Sequence, residues 1–310
     1  MALADEEWSH PAAQSGSDHA DWPVILVTGA STGIGLALVR QLAGQPYRVV
    51  ATARRQSLDR FATLGVHAAP SLWLRPLDLT GFDEHKAVIG EIMARWGRLD
   101  GLVNNAGISY RAVVEHMTPD DELRQMATNY LGPMNLTRLV LPIMRQQRQG
   151  HIINVSSVGG MMAMPTMAAY SASKFALEGA SEALWYEMRP WGVRVCLIEP
   201  GFINSTAFQQ VYQTAGTGDL DSPYAPYYRH MGRLIERMMT AAAATPDSVA
   251  ARIVEALHDP DPPLRLPATA DAGAFYWLRR LLPRGIYHRL LYWSLPGLRD
   301  WGREPAERRR

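Results

Sequence analysis

Tyr170 and Lys174 stand four residues apart in Tyr-Ser-Ala-Ser-Lys, and Ser157 precedes the tyrosine by thirteen positions. On a helix, residues four apart share a face, which sets an ammonium beside a phenol. A free phenol titrates near a pKa of about 10, too high for ready proton exchange at neutral pH. A positive charge close by favours the phenolate and moves the group toward the range of an acid/base catalyst. A serine hydroxyl beside it can hold the oxygen on which a proton comes and goes. With a hydride carrier, that is the redox chemistry of an alcohol/ketone pair. A Tyr/Lys pair alone is better explained by a solvated helix face, so its meaning rests on the elements that position it.

Those elements alternate. Short apolar runs predict strands over Val24 to Val27, Arg48 to Ala53, Leu72 to Leu77, Leu99 to Val103, His151 to Val155 and Val193 to Ile198. Longer periodic stretches between them predict helices over Ile34 to Ala43, Asp83 to Trp96, Glu122 to Arg145 and Ala168 to Met188. Strand and helix in alternation imply a parallel sheet covered on both faces, a doubly wound α/β domain. Right-handed crossovers then place ligands at the carboxyl ends of the strands. The loops Thr28 to Gly35, Asn104 to Gly107, Ser156 to Gly160 and Pro200 to Ser205 all fall at that edge.

The first of these loops, Thr28-Gly-Ala-Ser-Thr-Gly-Ile-Gly35, joins a strand to a helix. Gly29 suits a tight turn, Gly33 lets backbone amides approach a pyrophosphate, and Gly35 lets the helix pack closely on the sheet. A helix N-terminus then faces the phosphates. The spacing is Gly-x-x-x-Gly-x-Gly, in the context that a dinucleotide site requires.

Together with Asn104-Asn-Ala-Gly107, Asn129, the Ser157/Tyr170/Lys174 set and Pro200-Gly201, this loop completes an ordered series over residues 22 to 206. In that series the chain resembles the short-chain dehydrogenases/reductases with Thr-Gly-x-x-x-Gly-x-Gly and Tyr-x-x-x-Lys motifs. The resemblance implies a Rossmann-type fold and assigns roles. Tyr170 is the expected general acid/base. Lys174 is expected to lower the Tyr170 pKa and hold the nicotinamide ribose. Ser157 is expected to polarise the substrate oxygen, and Asn129 to hold a water linking Lys174 to solvent. Ser156 is read as a backbone-satisfying neighbour. Gly29, Ser31, Thr32, Gly33, Ile34, Gly35, Asn105, Ala106 and Gly107 are the expected cofactor contacts around the phosphates and adenosine, joined by Tyr170, Lys174, Pro200, Gly201, Ile203 and Ser205 toward the nicotinamide. A structural role for Asn104 and a cofactor contact are both open, as is the choice of Ser205 or Thr206 against the carboxamide. Asp78 resembles the family's adenine-edge contact and also suits capping of the helix near Asp83.

Cofactor choice turns on the end of the second strand. Relatives that bind NAD place an acid there for the ribose 2′-hydroxyl. Here Ala53 stands at that position and Arg54 follows. A guanidinium fork suits a phosphate, so NADP(H) is favoured over NAD(H).

Composition sets further bounds. A net charge of +1 over 310 residues gives no overall field toward nucleic acid, and a single cysteine, Cys196, excludes an intramolecular disulfide framework. No metal site is expected. Residues 1 to 21 lack the basic start and apolar stretch of a signal peptide and are expected to be a mobile extension. Residues 22 to 271 are expected to form one oxidoreductase domain, in which 206 to 244 cover the substrate. Tyr224, Tyr227, Tyr228, Met231, Met238 and Met239 suggest a pliable apolar lining there. The tail, 272 to 310, is basic and carries two short amphipathic stretches, Phe275 to Leu282 and Ile286 to Trp293. They read either as an interfacial membrane element or as a segment docked on the core or a partner subunit, and Pro283 and Pro296, which shorten them, favour docking. The expected function is NADP(H)-linked interconversion of a hydrophobic secondary alcohol and ketone, or aldehyde, in a cytoplasmic homo-oligomer with possible peripheral membrane contact. The alternative is a catalytically silent dinucleotide-binding regulator or scaffold.

Overall fold

Val24 and Leu26 face one side of the first strand and Ile25 and Val27 the other, and all four are buried. That period of two with no solvated face is what a parallel sheet covered on both sides demands. The computed structural model describes residues 21–205 and 211–302, so residues 1–20 of the expected N-terminal extension and Thr206 lie outside the described residues.

Seven parallel strands form the sheet: β1 Val24–Val27, β2 Arg48–Ala53, β3 Leu72–Pro76, β4 Gly101–Asn104, β5 Gly150–Val155, β6 Val193–Glu199 and β7 Arg265–Pro267, in the order β3-β2-β1-β4-β5-β6-β7. The helices are α1 Gly33–Ala43, α2 Asp59–Thr63, α3 Phe82–Trp96, α4 Pro119–Met126, α5 Gly132–Gln147, α6 Ala168–Met188, α7 Ala225–Ala241, α8 Pro246–His258, α9 Ala270–Leu281 and α10 Arg284–Ser294. One core layer joins β1 to α1 and α8 through Leu38, Leu42, Val249 and Ile253. The other joins the sheet to α3, α5 and α6 through Ile92, Leu136, Val140 and Leu184. The strand order reverses between β1 and β4, and the crevice at that switch point is where a doubly wound sheet holds ligands.

Three differences from the sequence reading have local causes. The single helix expected over Glu122 to Arg145 is divided: α4 ends at Met126, a π-helical turn spans Ala127–Leu131, and α5 starts at Gly132 with Pro133 in its first turn. The wider turn carries Asn129 into the interior, where it is 1% exposed. The fourth strand begins at Gly101 rather than Leu99, because the Leu99 backbone pairs with the Gln147 side chain instead, N–H to Oε1 at 3.1 Å and Nε2–H to carbonyl at 3.0 Å. The seventh strand was not expected; it is three residues long in a proline-rich stretch and exists by pairing with Leu197 to Glu199.

Candidate active site

Thr28 and Asn105 build the mouth of the crevice. The Thr28 hydroxyl accepts from the backbone N–H of Asn105 at 3.0 Å and of Ala106 at 3.1 Å. Asn105 Nδ2 donates back to the carbonyls of Thr28 and Gly29 at 2.9 and 3.1 Å. These bonds fix the glycine loop against the end of β4. Gly29 has φ +66°, and a Cβ there would stand 2.7 Å from Ala106 Cα. At Gly35 a Cβ would stand 2.4 Å from the Gly29 carbonyl oxygen. Larger residues at either position would push the loop off β4. The side chain of Thr32, at the N-cap of α1, makes no capping bond, so the first amides of the helix point into the cleft without an internal side-chain acceptor.

The cleft has a volume of about 470 Å³. Ser31, Thr32, Gly33 and Ile34 line its middle, Arg54, Ser57, Arg60 and Asp78 one end, and Asn105 to Gly107, Lys174, Pro200, Gly201, Ile203 and Ser205 the rest. Every expected cofactor contact lines it except Gly35, which lies beneath the loop. The residues fit a dinucleotide: open helix amides for a pyrophosphate, cations at one end and the Ser157/Tyr170/Lys174 set at the other. Asp78 accepts from the Thr80 N–H at 2.9 Å and hydroxyl at 2.7 Å. Burial alone would raise its pKa; these bonds and the charges of Arg54 and Arg124 bring it below the ordinary value. Asn104 is structural, its Nδ2 donating to Asn154 Oδ1 at 2.8 Å and Thr137 Oγ1 at 3.2 Å, so β4 is tied to β5 and α5.

Tyr170 and Lys174 occupy the first two turns of α6, and both are buried. The tyrosine ring packs on Gly159, where a Cβ would stand 2.9 Å from the ring. Lys174 Nζ donates to the Val155 carbonyl at 2.8 Å and lies 5.9 Å from the Tyr170 ring centre. Burial lowers the lysine pKa to about 8. It raises the phenol pKa of Tyr170, against the downward pull of a hydrogen bond with Ser157 and of the Arg111 charge. The Lys174 ammonium is directed at a backbone carbonyl, and the downward pull on Tyr170 comes from Ser157 and Arg111. Ser157 Oγ also accepts from Gly159 N–H at 3.0 Å. Asn129 is held on three sides, accepting from Ile108 N–H at 2.8 Å and donating to the Ile108 carbonyl and Ser173 Oγ at 2.9 and 3.0 Å. Its Oδ1 and Lys174 Nζ face one spot, within 3.3 and 3.9 Å of where a Gly107 Cβ would stand. Ser156, expected to satisfy backbone, has a buried hydroxyl with no partner among the described residues.

A second, apolar cavity of about 40 Å³ meets the cleft at Ser157, Tyr170, Gly201 and Ile203. Its walls are Met162, Met164 and Met167 from the loop before α6, Ile235 and Met239 from α7, with Phe202 and Phe275. Of the six aromatic and methionine residues expected to line a pocket in the covering segment, Met239 alone does so. The tyrosines instead fasten α7: Tyr224 donates to Glu115 Oε2 at 2.6 Å, Tyr228 Oη accepts from Val113 N–H at 3.1 Å, and Tyr227 stacks on Trp301 at 4.2 Å. The methionine run between Ser157 and Tyr170 was the overlooked signal, because a loop bracketed by those two residues cannot lie far from them. Arg111 was overlooked for want of any motif. Its Nε and Nη2 are buried without a hydrogen-bond partner among the described residues, close enough to Tyr170 for each charge to act on the other.

The tail docks, as the proline argument expected. Thr269 Oγ1 accepts from Gly201 N–H at 2.9 Å and Asp271 Oδ2 from Phe202 N–H at 2.8 Å. Arg279 donates to the Met161 carbonyl, and Tyr287 is 3% exposed. The N-terminus of α9 therefore clamps the Pro200-Gly201 loop, and the tail supplies Phe275 to the apolar cavity.

The short chain dehydrogenase family model matches residues 23–216. A 3-ketodihydrosphingosine reductase of Bacteroides thetaiotaomicron is 34% identical over 242 residues, covering 78% of this chain and 86% of that protein. A short-chain dehydrogenase structure from Streptomyces avermitilis aligns with a TM-score of 0.75 at 32% identity, covering 88% of this chain and 96% of that one. A metagenomic short-chain oxidoreductase in complex with NADP aligns at 0.62 and 29% identity, covering 79% and 96%. The chain belongs to the short-chain dehydrogenase/reductase family. It is an oxidoreductase of the NAD(P)-dependent class that acts on CH–OH groups. No helix among the described residues is long and apolar enough to cross a membrane.

Proposed function

We propose that this protein is an NADP(H)-dependent oxidoreductase that interconverts a hydrophobic secondary alcohol and its ketone, or an aldehyde, with Tyr170 as general acid/base. The observation that carries the reading is the meeting of the polar cleft and the methionine-walled cavity at Ser157 and Tyr170. A carbonyl at that junction has its oxygen against two hydroxyls while its apolar substituent enters the cavity. When bound, the nicotinamide supplies or accepts hydride, and that chemistry belongs to the cofactor. Ser157 orients the carbonyl oxygen. Tyr170 gives that oxygen its proton in reduction and takes it back in oxidation. Lys174 holds the ribose, and the space between it and Asn129 beside Gly107 accommodates a water through which a proton returns from solvent.

The cavity is small as packed, but methionine side chains repack at low cost, so it widens around an aliphatic chain. The relative from B. thetaiotaomicron is named for reducing a ketone, 3-ketodihydrosphingosine, which fits this direction of chemistry. NADPH oxidation over a series of ketones of increasing chain length tests the reading. Each buried methylene should raise kcat/KM, up to about fourfold at ~0.8 kcal/mol per methylene. Tyr170→Phe should lower kcat by about 10²–10⁴ while NADPH binding persists. Full activity in that variant removes Tyr170 from the proton path. NADPH binding with no turnover across the panel would instead mark a silent regulator.

A further inference from the structure

We propose that the outer faces of α9 and α10 form an interfacial anchor that seats the protein reversibly on an anionic lipid surface. One side of this helical pair is committed to the core through Asp271, Arg279, Ala272 and Tyr287. The other side is not. Trp277 is 59% exposed and Leu281, one turn on, 74%; on α10, Ile286, Leu290 and Trp293 are 49%, 52% and 75% exposed. These positions recur at helical spacing, so each helix presents an apolar stripe outward. Tryptophan and leucine on one side of a short helix, with arginine beside them, match the headgroup boundary of a bilayer, where an amphipathic ring has both its environments.

Charge selects the occupant. Residues 273–310 hold nine arginines against three acidic residues, while the whole chain carries only +1. One of those acids, Asp300, is engaged with His230 at 2.9 Å. Arg289 and Arg299 are exposed on or next to α10. A second copy of the chain docking by a two-fold axis would bring these arginines close to their own copies, which an interface core disfavours. An anionic bilayer supplies the opposite charge and a layer for the aromatic rings. The placement also bears on the substrate, a point that rests on the function proposed above: Phe275 of α9 walls the apolar cavity, so the anchor sets that wall near the surface from which a lipophilic ketone would enter.

Co-sedimentation of the full-length protein with vesicles tests this without any turnover, so it stands or falls apart from the substrate reading. The protein should sediment with vesicles of phosphatidylcholine containing phosphatidylglycerol, weakly with phosphatidylcholine alone, and less with either as salt rises. Neutralising Arg289→Gln and Arg299→Gln should cut partitioning on the order of fivefold per residue. Trp277→Ser with Trp293→Ser should cut it further while the thermal melt stays unchanged. No binding to the anionic vesicles, or equal binding to both lipids at all salt concentrations, overturns the proposal, and those arms need no variant. A drop from dimer to monomer mass by light scattering in the tryptophan variant overturns it too, in favour of a contact between copies.

Discussion

Arg54→Asp should turn the cofactor preference of this enzyme. Arg54 follows the last residue of β2 and lines the end of the cleft that also holds Ser57, Arg60 and Asp78, with no acid at Ala53 to receive a ribose hydroxyl. A guanidinium about 4–5 Å from a 2′-phosphate contributes about 1–4 kcal/mol as the effective dielectric falls from 80 toward 20. Arg54 is exposed, which puts it at the low end of that range, about 1–1.5 kcal/mol, or close to tenfold in affinity. Neutralisation to alanine should therefore raise KM for NADPH about tenfold, and reversal to aspartate should roughly square that factor by adding repulsion. Arg60 lines the same end of the cleft, so its own loss should add less than a separate tenfold. NADH has no such phosphate, and the new carboxylate can accept from its 2′-hydroxyl, so its kcat/KM should hold or rise. The assay is the ratio of kcat/KM for NADPH and NADH with one ketone at fixed pH, repeated over a salt series. The effect should shrink with salt, since the charges lie within about a Debye length of solvent. A wild type that prefers NADH, or a ratio unmoved by Arg54→Asp, refutes the assignment of this end of the cleft to a 2′-phosphate.

Arg111→Met removes a positive charge that holds the Tyr170 phenol down against its burial, so the tyrosine pKa should rise further. The rising limb of the pH profile for alcohol oxidation should move to higher pH by on the order of one unit; an unmoved limb would separate Arg111 from the proton path. Glu199 ends β6 and, although Arg265 lies 3.2 Å from it, burial raises its pKa from 4.5 to about 7. The native state then binds more protons than the unfolded chain between those values, so this group's stability contribution is greatest below pH 4.5 and falls as pH rises through 7. Glu199→Gln should be free of that fall and gain on the wild type by up to about 3 kcal/mol between pH 4.5 and 8. Thermal melts of both proteins across that range check it, and parallel pH slopes would show that the carboxyl is not held in its neutral form.

The Tyr170/Lys174 pair was legible because its geometry is local. Tyr170 and Lys174 share a helix face by spacing alone, and Ser157 lies two residues beyond the end of β5. The glycine loop was legible for a similar reason: Gly29 and Gly35 stand where any side chain would collide with Ala106 or with the loop itself. The long helix over Glu122 to Arg145 was misjudged because apolar periodicity continues through a π-helical turn, which adds a residue to one turn without breaking the pattern. The strand Arg265–Pro267 was invisible for the opposite reason, being too short to show any period.

Thus the sequence by itself determined the doubly wound class, the glycine loop and the helix face that Tyr170 and Lys174 share, since each depends on spacing along a strand, a turn or one helix face. Tertiary structure decided what surrounds them. Methionines from the loop before α6, Ile235 and Met239 of α7 and Phe275 of α9 meet around one cavity although more than a hundred residues separate the first from the last. Arg111 comes beside Tyr170 in the same way, and burial, which is a property of the whole fold, sets the direction in which Tyr170 and Lys174 are shifted. Periodicity tells a helix which face to bury, but only packing determines against what.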